Sequence, residues 1–343
     1  MLEVLDELFA DEEAWVVGGA VRDRALDRPV VDIDVAVREP RAAARKLAKR
    51  VGGAPFLLSE RHGAWRVALD GGRTIDFTPL PGSIEDDLAN RDFTINAIAE
   101  RVGSGEFRDP YNGFGDLAAG GIRALQDGVF EDDPLRLLRA VRLEDELGFR
   151  IVPETEELIR RHAELVTNPA GERVVAELQR LSAGGFRRLD GLGLLAPLGG
   201  RIDDRLDRWD SPDYRLVAVF GEGLRRFPVS NELRRFAAAL LRAERPEPDA
   251  RAIHRFRRAT EPWAVEALAF VGASELRPAV EEARAADPAE PLLRGDELDL
   301  PPGPEIGRLL AEIDEERAAG TIATREEALD YARRHAGAVR EDG

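Results

Sequence analysis

The sequence predicts an α+β protein, in which an N-terminal mixed α/β unit is followed by an all-helical remainder. Three observations carry this. Short runs with strand character (AWVVGG, VVDIDVAV, PFLLS, AWRVALD and TIDFTPL) occupy the chain up to residue 80, interrupted by a helical stretch, EPRAAARKLAKRV. Beyond about residue 120 the texture changes to helical spacing. At 343 residues the chain can bury a sizeable core and is long enough for two or three units.

In chain order, an apolar strand ends at Val17 and meets Gly18-Gly19, after which AVRDRAL reads as a helix. In VVDIDVAV the period of two puts Ile33, Val35 and Val37 on one face, with Asp32 and Asp34 on the other. Past residue 120, DDPLRLLRAVRLEDELGF (132–149) reads as one helix with apolar Leu135, Leu138, Val141 and Leu147, stopped by Gly148. Pro/Gly-rich stretches (GGFRRLDGLGLLAPLGG, RAERPEPDA, LDLPPGPE) punctuate the rest of the helical part, and TREE (324–327) has capping-box form. The expected division is 1–120, 121–200, 201–290 and 291–343.

Composition narrows the chemistry. There is no cysteine, which excludes disulfides, zinc thiolates and cysteine nucleophiles. The four histidines (His62, His162, His254, His335) have no metal-ligand spacing, so any metal must be held by carboxylates. No apolar run of about 18 residues occurs and the N-terminus is acidic, so a soluble, cytoplasmic protein is expected, with no membrane partner. The net charge of −17 opposes nonspecific binding of nucleic acid. The arginines are nonetheless clustered, at 135–142, 159–162, 186–188, 224–227, 233–236 and 254–258, either as solvated helix faces or as a patterned surface.

The opening stretch suggests a phosphate site. A strand followed by Gly18-Gly19 and a helix start lets backbone amides approach an anion, although a double glycine is equally the mark of a bare turn. Asp32 and Asp34, with Cα atoms roughly 6.5 Å apart on one exposed face, repel each other unless a cation neutralises them. A hard divalent ion such as Mg²⁺ takes such oxygens. Asp76, in the TIDFTPL strand, either completes the set by polarising an attacking hydroxyl or lies outside it.

GGAVRD, DID, NRDFTINAIA (90–99), DPYNGFGDLAAGGIRAL (109–125) and DDPLRLLRAVRLEDELGF, in this order, resemble the bacterial tRNA nucleotidyltransferase and poly(A) polymerase family. These are the class II CCA-adding enzymes of the polymerase β nucleotidyltransferase superfamily, and residues 292–329 resemble the family's C-terminal segment. The resemblance implies a nucleotidyltransferase head followed by helical neck, body and tail, with Mg²⁺ as cofactor and tRNA, ATP and CTP as partners. It implies that Gly19 and Arg22 bind the nucleotide, that Asp32 and Asp34 hold the magnesium, and that Arg91 contacts the nucleotide while Asp92 and Asn96 shape its surroundings. Asp133, Arg136, Arg139 and Arg142 would complete the nucleotide site. Asn90 and Asp132 depart from the arginine and glutamate usual there. Residues 200–290 lack a His-Asp pair, so the phosphohydrolase domain of some relatives is not expected.

Asp133 and Arg136 suggest how bases are selected. A spacing of three on a helix would set a carboxylate acceptor and a guanidinium donor on one face. Cytosine and adenine each offer an amino donor beside a ring-nitrogen acceptor, which that pair matches; uracil and guanine present the reverse. Arg139 and Arg142 would continue the ladder toward the phosphates. The expected activity is untemplated addition of C and/or A to a tRNA 3′ end, with release of pyrophosphate. A poly(A) polymerase, a CC- or A-adding enzyme, an inactive RNA-binding relative and a D-x-D phosphatase are the alternatives.

Overall fold

The period-two runs assemble into one seven-stranded sheet: β1 (Ala14–Val17), β2 (Asp32–Val37), β3 (Ala54–Ser59), β4 (Ala64–Ala68), β5 (Thr74–Pro79), β6 (Ala99–Arg101) and β7 (Phe107–Arg108). The structure is a computed structural model that describes residues 1–60, 62–80 and 82–336. The strand order is β3-β4-β5-β2-β1-β6-β7. Only β2 and β5 run parallel, joined by the crossover through α3 (Pro40–Val51), so the sheet is mixed as expected.

One face is closed by α1 (Leu2–Phe9) and α3, which buries Ala43, Ala44, Leu47 and Ala48; Phe9 packs against Phe77 of β5 with ring centroids 5.8 Å apart. Between β1 and β2 runs α2 (Gly19–Ala25). The opposite face is covered in part: Trp15, Val17, Ala36 and Ala99 pack with Leu80 and with Ile84 and Leu88 of α4 (Ile84–Ala89). Burial of both faces of β1 explains its uninterrupted apolar sequence.

The chain divides into two units, Met1–Gly199 and Gly200–Gly343. Helices α5 (Gly113–Ala119), α6 (Val129–Asp132), α7 (Arg136–Leu147), α8 (Pro153–Arg161), α9 (Gly171–Leu178) and α10 (Ala183–Gly191) complete the first. α7 ends at Gly148, whose φ of 68° a glycine accommodates without strain. It starts later than the periodicity predicts, because Pro134 disfavours helical geometry at Asp133, which is extended (φ −145°, ψ 96°). The helical stretch also holds a short parallel pair the sequence did not announce, β8 (Gly121–Ile122) with β9 (Arg150–Ile151).

The second unit contains α11 (Pro212–Phe220), α12 (Asn231–Arg242), α13 (Ala250–Thr260), α14 (Ala264–Val271), α15 (Arg277–Ala285), α16 (Pro304–Ala318) and α17 (Arg325–His335). The TREE segment forms its capping box, with the Glu327 amide donating to Thr324 Oγ1 and the Glu327 carboxylate accepting from the Thr324 amide at 2.9 Å. The 254–258 arginine cluster is committed within this unit: Arg255 pairs with Glu315 of α16 and Arg258 with Asp314, beside the bidentate pair of Arg251 with Glu316, which holds Glu316 at about 2. Residues 337–343 of the expected tail lie outside the described residues. Among the described residues, no helix is long and apolar enough to cross a membrane.

Candidate active site

The carboxylates sit where the covered part of the sheet face ends. Val17 pairs with Asp34 and Asp34 with Asp76, so all three share one face. Asp32 is exposed and accepts from Thr74 Oγ1 at 2.7 Å. Asp34, expected beside it on an open face, is half-buried, because the adjoining apolar cluster reaches its position. Burial pushes its carboxyl above the usual carboxylate range, with Asp76 and Asp32 adding repulsion while Arg91 and Arg139 oppose the rise.

Asp76 is occupied in a way the sequence did not reveal: Arg66 of β4, its register partner, donates Nε and Nη2 to the two carboxylate oxygens at 2.7 Å each. Among the described residues, no group of three or more His, Asp or Glu is gathered to hold a metal. The donors nevertheless fit a divalent ion: two hard carboxylates on one strand face, one of them half-buried beside like charges.

Beside Asp34 the chain turns at Gly18, with φ 67° and ψ −128°, a conformation open only to glycine. A Cβ there would lie 3.2 Å from Arg91 Nη1, so Arg91 rests on this corner. Arg91 is aimed by Asp87, one helical turn earlier, at 2.7 Å. Gly19 opens α2, and Arg22 on that helix donates to Asn96 Oδ1 at 2.7 Å and to Asp23 at 2.8 Å. Asn96 donates to Asp92 Oδ1 at 2.9 Å, and Asp92 meets Arg139 of α7 at 2.9 Å. Burial works against the Asp92 charge, but Arg139, Asn96 and the Phe93 amide outweigh it and hold the carboxyl below the usual range. The structure thus links Arg22, Asn96, Asp92 and Arg139 in one polar relay.

Two expectations about the neck are corrected. Asp133 and Arg136 do not share a helix face: Asp133 precedes α7, accepts from the Leu135 amide at 3.2 Å, and pairs with Arg173 of α9 at 2.7 and 3.3 Å. Arg136 donates to the carbonyls of Asn90 at 2.6 Å and Val129 at 3.3 Å. The Arg136 contact with Asn90 is to the backbone and does not depend on the side chain there. Arg142 does not continue toward the site; it is buried and pairs with Glu177 of α9 at 2.7 Å. Each step of three residues falls about 60° short of a full turn, so the second step carries Arg142 about 120° away from Arg136.

A mixed sheet with paired carboxylates on one strand, a glycine corner against an arginine and a polar wall behind it defines a nucleotidyltransferase head. The family described as Poly A polymerase head domain matches residues 14–80 and 60–123, and that of the probable RNA and SrmB-binding site of polymerase A matches residues 148–199. The A-adding tRNA nucleotidyltransferase of Deinococcus radiodurans is 34% identical, with 94% of this chain and 95% of that protein aligned. The chain belongs to the bacterial tRNA nucleotidyltransferase and poly(A) polymerase family. The CC-adding tRNA nucleotidyltransferase of Geobacter sulfurreducens is 48% identical over 175 residues, a match that spans 49% of this chain and 40% of that relative. The fold is that of the Thermotoga maritima CCA-adding enzyme solved in complex with tRNA, at a TM-score of 0.70 and 22% identity over 96% of this chain and 92% of that one.

Proposed function

We propose that the protein is a template-independent tRNA nucleotidyltransferase, adding C and/or A to the tRNA 3′ terminus from CTP and ATP and releasing pyrophosphate. The relay from Arg22 through Asn96 and Asp92 to Arg139, set beside Asp32 and Asp34, is the observation that carries this reading. Arginines beside a pair of strand carboxylates are the arrangement a triphosphate and its counter-ion call for, and this supports the reading. The names of the relatives, which include CC-, A- and CCA-adding enzymes, supply the substrate class.

In the reaction the RNA 3′-hydroxyl attacks the α-phosphorus of the nucleotide; the new P–O bond forms as the bond to pyrophosphate breaks. Gly18 and Gly19 bring backbone close to the phosphates, and Arg22 and Arg91 balance their charge. Asp32 and Asp34 would hold Mg²⁺, which when bound stabilises the attacking and leaving oxygens. Asp76 polarises the attacking hydroxyl. Asp92 and Asn96 fix the wall on which the sugar rests, and Asp133 and Arg136 read the base edge. Catalysis belongs to a head at 1–120, base reading to a neck at 121–200, and RNA holding to a body at 201–290 and a tail at 291–343, by phosphate and shape contacts in the cytoplasm.

The test uses tRNA transcripts lacking the last three, two or one nucleotides, each incubated with CTP, ATP or both. Extension by defined C or A steps supports the reading and gives the number added. A long A tract would make the protein a poly(A) polymerase, and no extension with retained tRNA binding would make it an inactive RNA-binding relative.

A further inference from the structure

The face that carries the carboxylates is walled on one side and open on the other. Over β1 and β6 it is packed by Ile84 and Leu88 of α4; toward β4 and β3 its residues become exposed. Strand register sets a single lateral row there: Asp34 pairs with Asp76, Asp76 with Arg66, and Arg66 with Phe56 of the edge strand β3. Paired residues place side chains on one face, with neighbouring strands about 4.8 Å apart. The Arg66 side chain is 33% exposed and Phe56 is 44% exposed.

Cations stand on both sides of the two carboxylates in this row. Arg91 acts on Asp34 from the β1 side, where it rests against Gly18, Arg139 also acts on Asp34, and Arg66 stands beyond Asp76 on the β4 side. Nucleotidyl transfer brings two anions to one place, the triphosphate and the RNA chain, and on the reading proposed above the Gly18–Arg91 corner on the β1 side takes the triphosphate. The Arg66–Asp76 pair uses Nε and Nη2, so Nη1 keeps its hydrogens for a second acceptor. A phosphodiester is such an acceptor, and it lies one sugar away from the hydroxyl that Asp76 would polarise.

We propose that Arg66 and Phe56 form the acceptor-side subsite: Arg66 contacts the last phosphodiester of the RNA, and Phe56 supports the terminal base by stacking. This inference rests on the transferase reading. The chemistry suits an acceptor whose terminal base changes after each addition, because phosphate contacts and stacking on an aromatic ring are indifferent to base identity.

The experiment is a cycle across the interface, using the full chain. Acceptor tRNA is prepared with a natural linkage or a neutral methylphosphonate at its last phosphodiester, and kcat/KM is measured for wild type and Arg66→Ala. Each single change should lower kcat/KM about tenfold or more, the scale of a charge-assisted hydrogen bond, and the two together should cost little beyond either alone. Phe56→Ala should raise KM for tRNA and leave KM for CTP and ATP in place. Losses that multiply would overturn the proposal and make Arg66 a holder of Asp76 alone. If Arg66→Ala does not fold, Arg66→Gln carries the same cycle. A wild type that extends no tRNA would defeat the functional reading; a wild type that extends tRNA while the losses multiply defeats this inference only.

Discussion

Arg139 of α7 lies 2.9 Å from Asp92, and Asp92 is almost wholly buried at 5% exposure. The pair ties the first long helix after the sheet to the wall of the site. Arg139→Ala should leave a buried carboxylate without its cation; because the Arg139 side chain is itself 45% exposed, and Asn96 and the Phe93 amide still donate to Asp92, the expected loss is about 1–3 kcal/mol. Denaturant unfolding measures it. Because the folded-state carboxyl of Asp92 is held below its ordinary value, its contribution is complete above the unfolded value and is lost as pH falls through the folded one. The deficit of Arg139→Ala relative to wild type should therefore be largest at neutral pH and shrink in acid.

Asp34 has the opposite sign. Its folded-state carboxyl is raised by burial, so the ionised form destabilises the fold at neutral pH, and this penalty disappears as pH falls through the raised value. Asp34→Asn should raise the Tm in metal-free buffer while removing turnover. Added Mg²⁺ should raise the Tm of wild type and not that of an Asp32→Asn, Asp34→Asn double variant. A double variant that kept more than roughly a tenth of its activity would remove these residues from the mechanism, since losing one electrostatic stabiliser typically costs about 10²–10³.

Gly18→Ala tests the corner. A φ of 67° with ψ −128° is closed to alanine, and its Cβ would press on Arg91 Nη1 at 3.2 Å. Expected are a loss of stability of more than about 1 kcal/mol and weaker binding of CTP and ATP, read by calorimetry. Gly19→Ala, whose Cβ would meet Arg22 Nη2 at an ordinary 3.5 Å, should fold normally and serves as the comparison.

Much of the head was legible in the sequence because strand alternation is a local property. The side-by-side placement of Asp32 and Asp34, the crossover helix at Pro40–Val51 and the stop at Gly148 all followed from spacing. What escaped depends on contacts far along the chain. The Arg66–Asp76 pair requires the β4–β5 register, and the Arg142–Glu177 and Asp133–Arg173 pairs require the docking of α9. One local signal did point to the departure in the neck: Pro134 disfavours helix at Asp133, which already separates Asp133 from the helix that carries Arg136.

That separation reshapes the test of base selection. Asp133 is held by Arg173, and Arg136 by two backbone carbonyls, so the acceptor and the donor are aimed independently. If Asp133 accepts from the amino group of cytosine or adenine while Arg136 donates to the ring nitrogen, Asp133→Ala removes the acceptor those bases need. It also relieves the clash with the carbonyls of uracil and guanine. Discrimination should then fall more than triphosphate affinity, which Arg22 and Arg91 sustain, and a site built to hydrogen-bond a group can reject analogues by about 10⁴ or more. Arg173→Ala should leave the carboxylate present but unaimed and give an intermediate loss, with KM for the triphosphates little changed. The measurement is kcat/KM for CTP, ATP, UTP and GTP on one tRNA acceptor with wild type and both variants. Equal losses across the four nucleotides in Asp133→Ala would assign the Asp133–Arg173 pair to holding α9 against the start of α7, and would place base selection elsewhere.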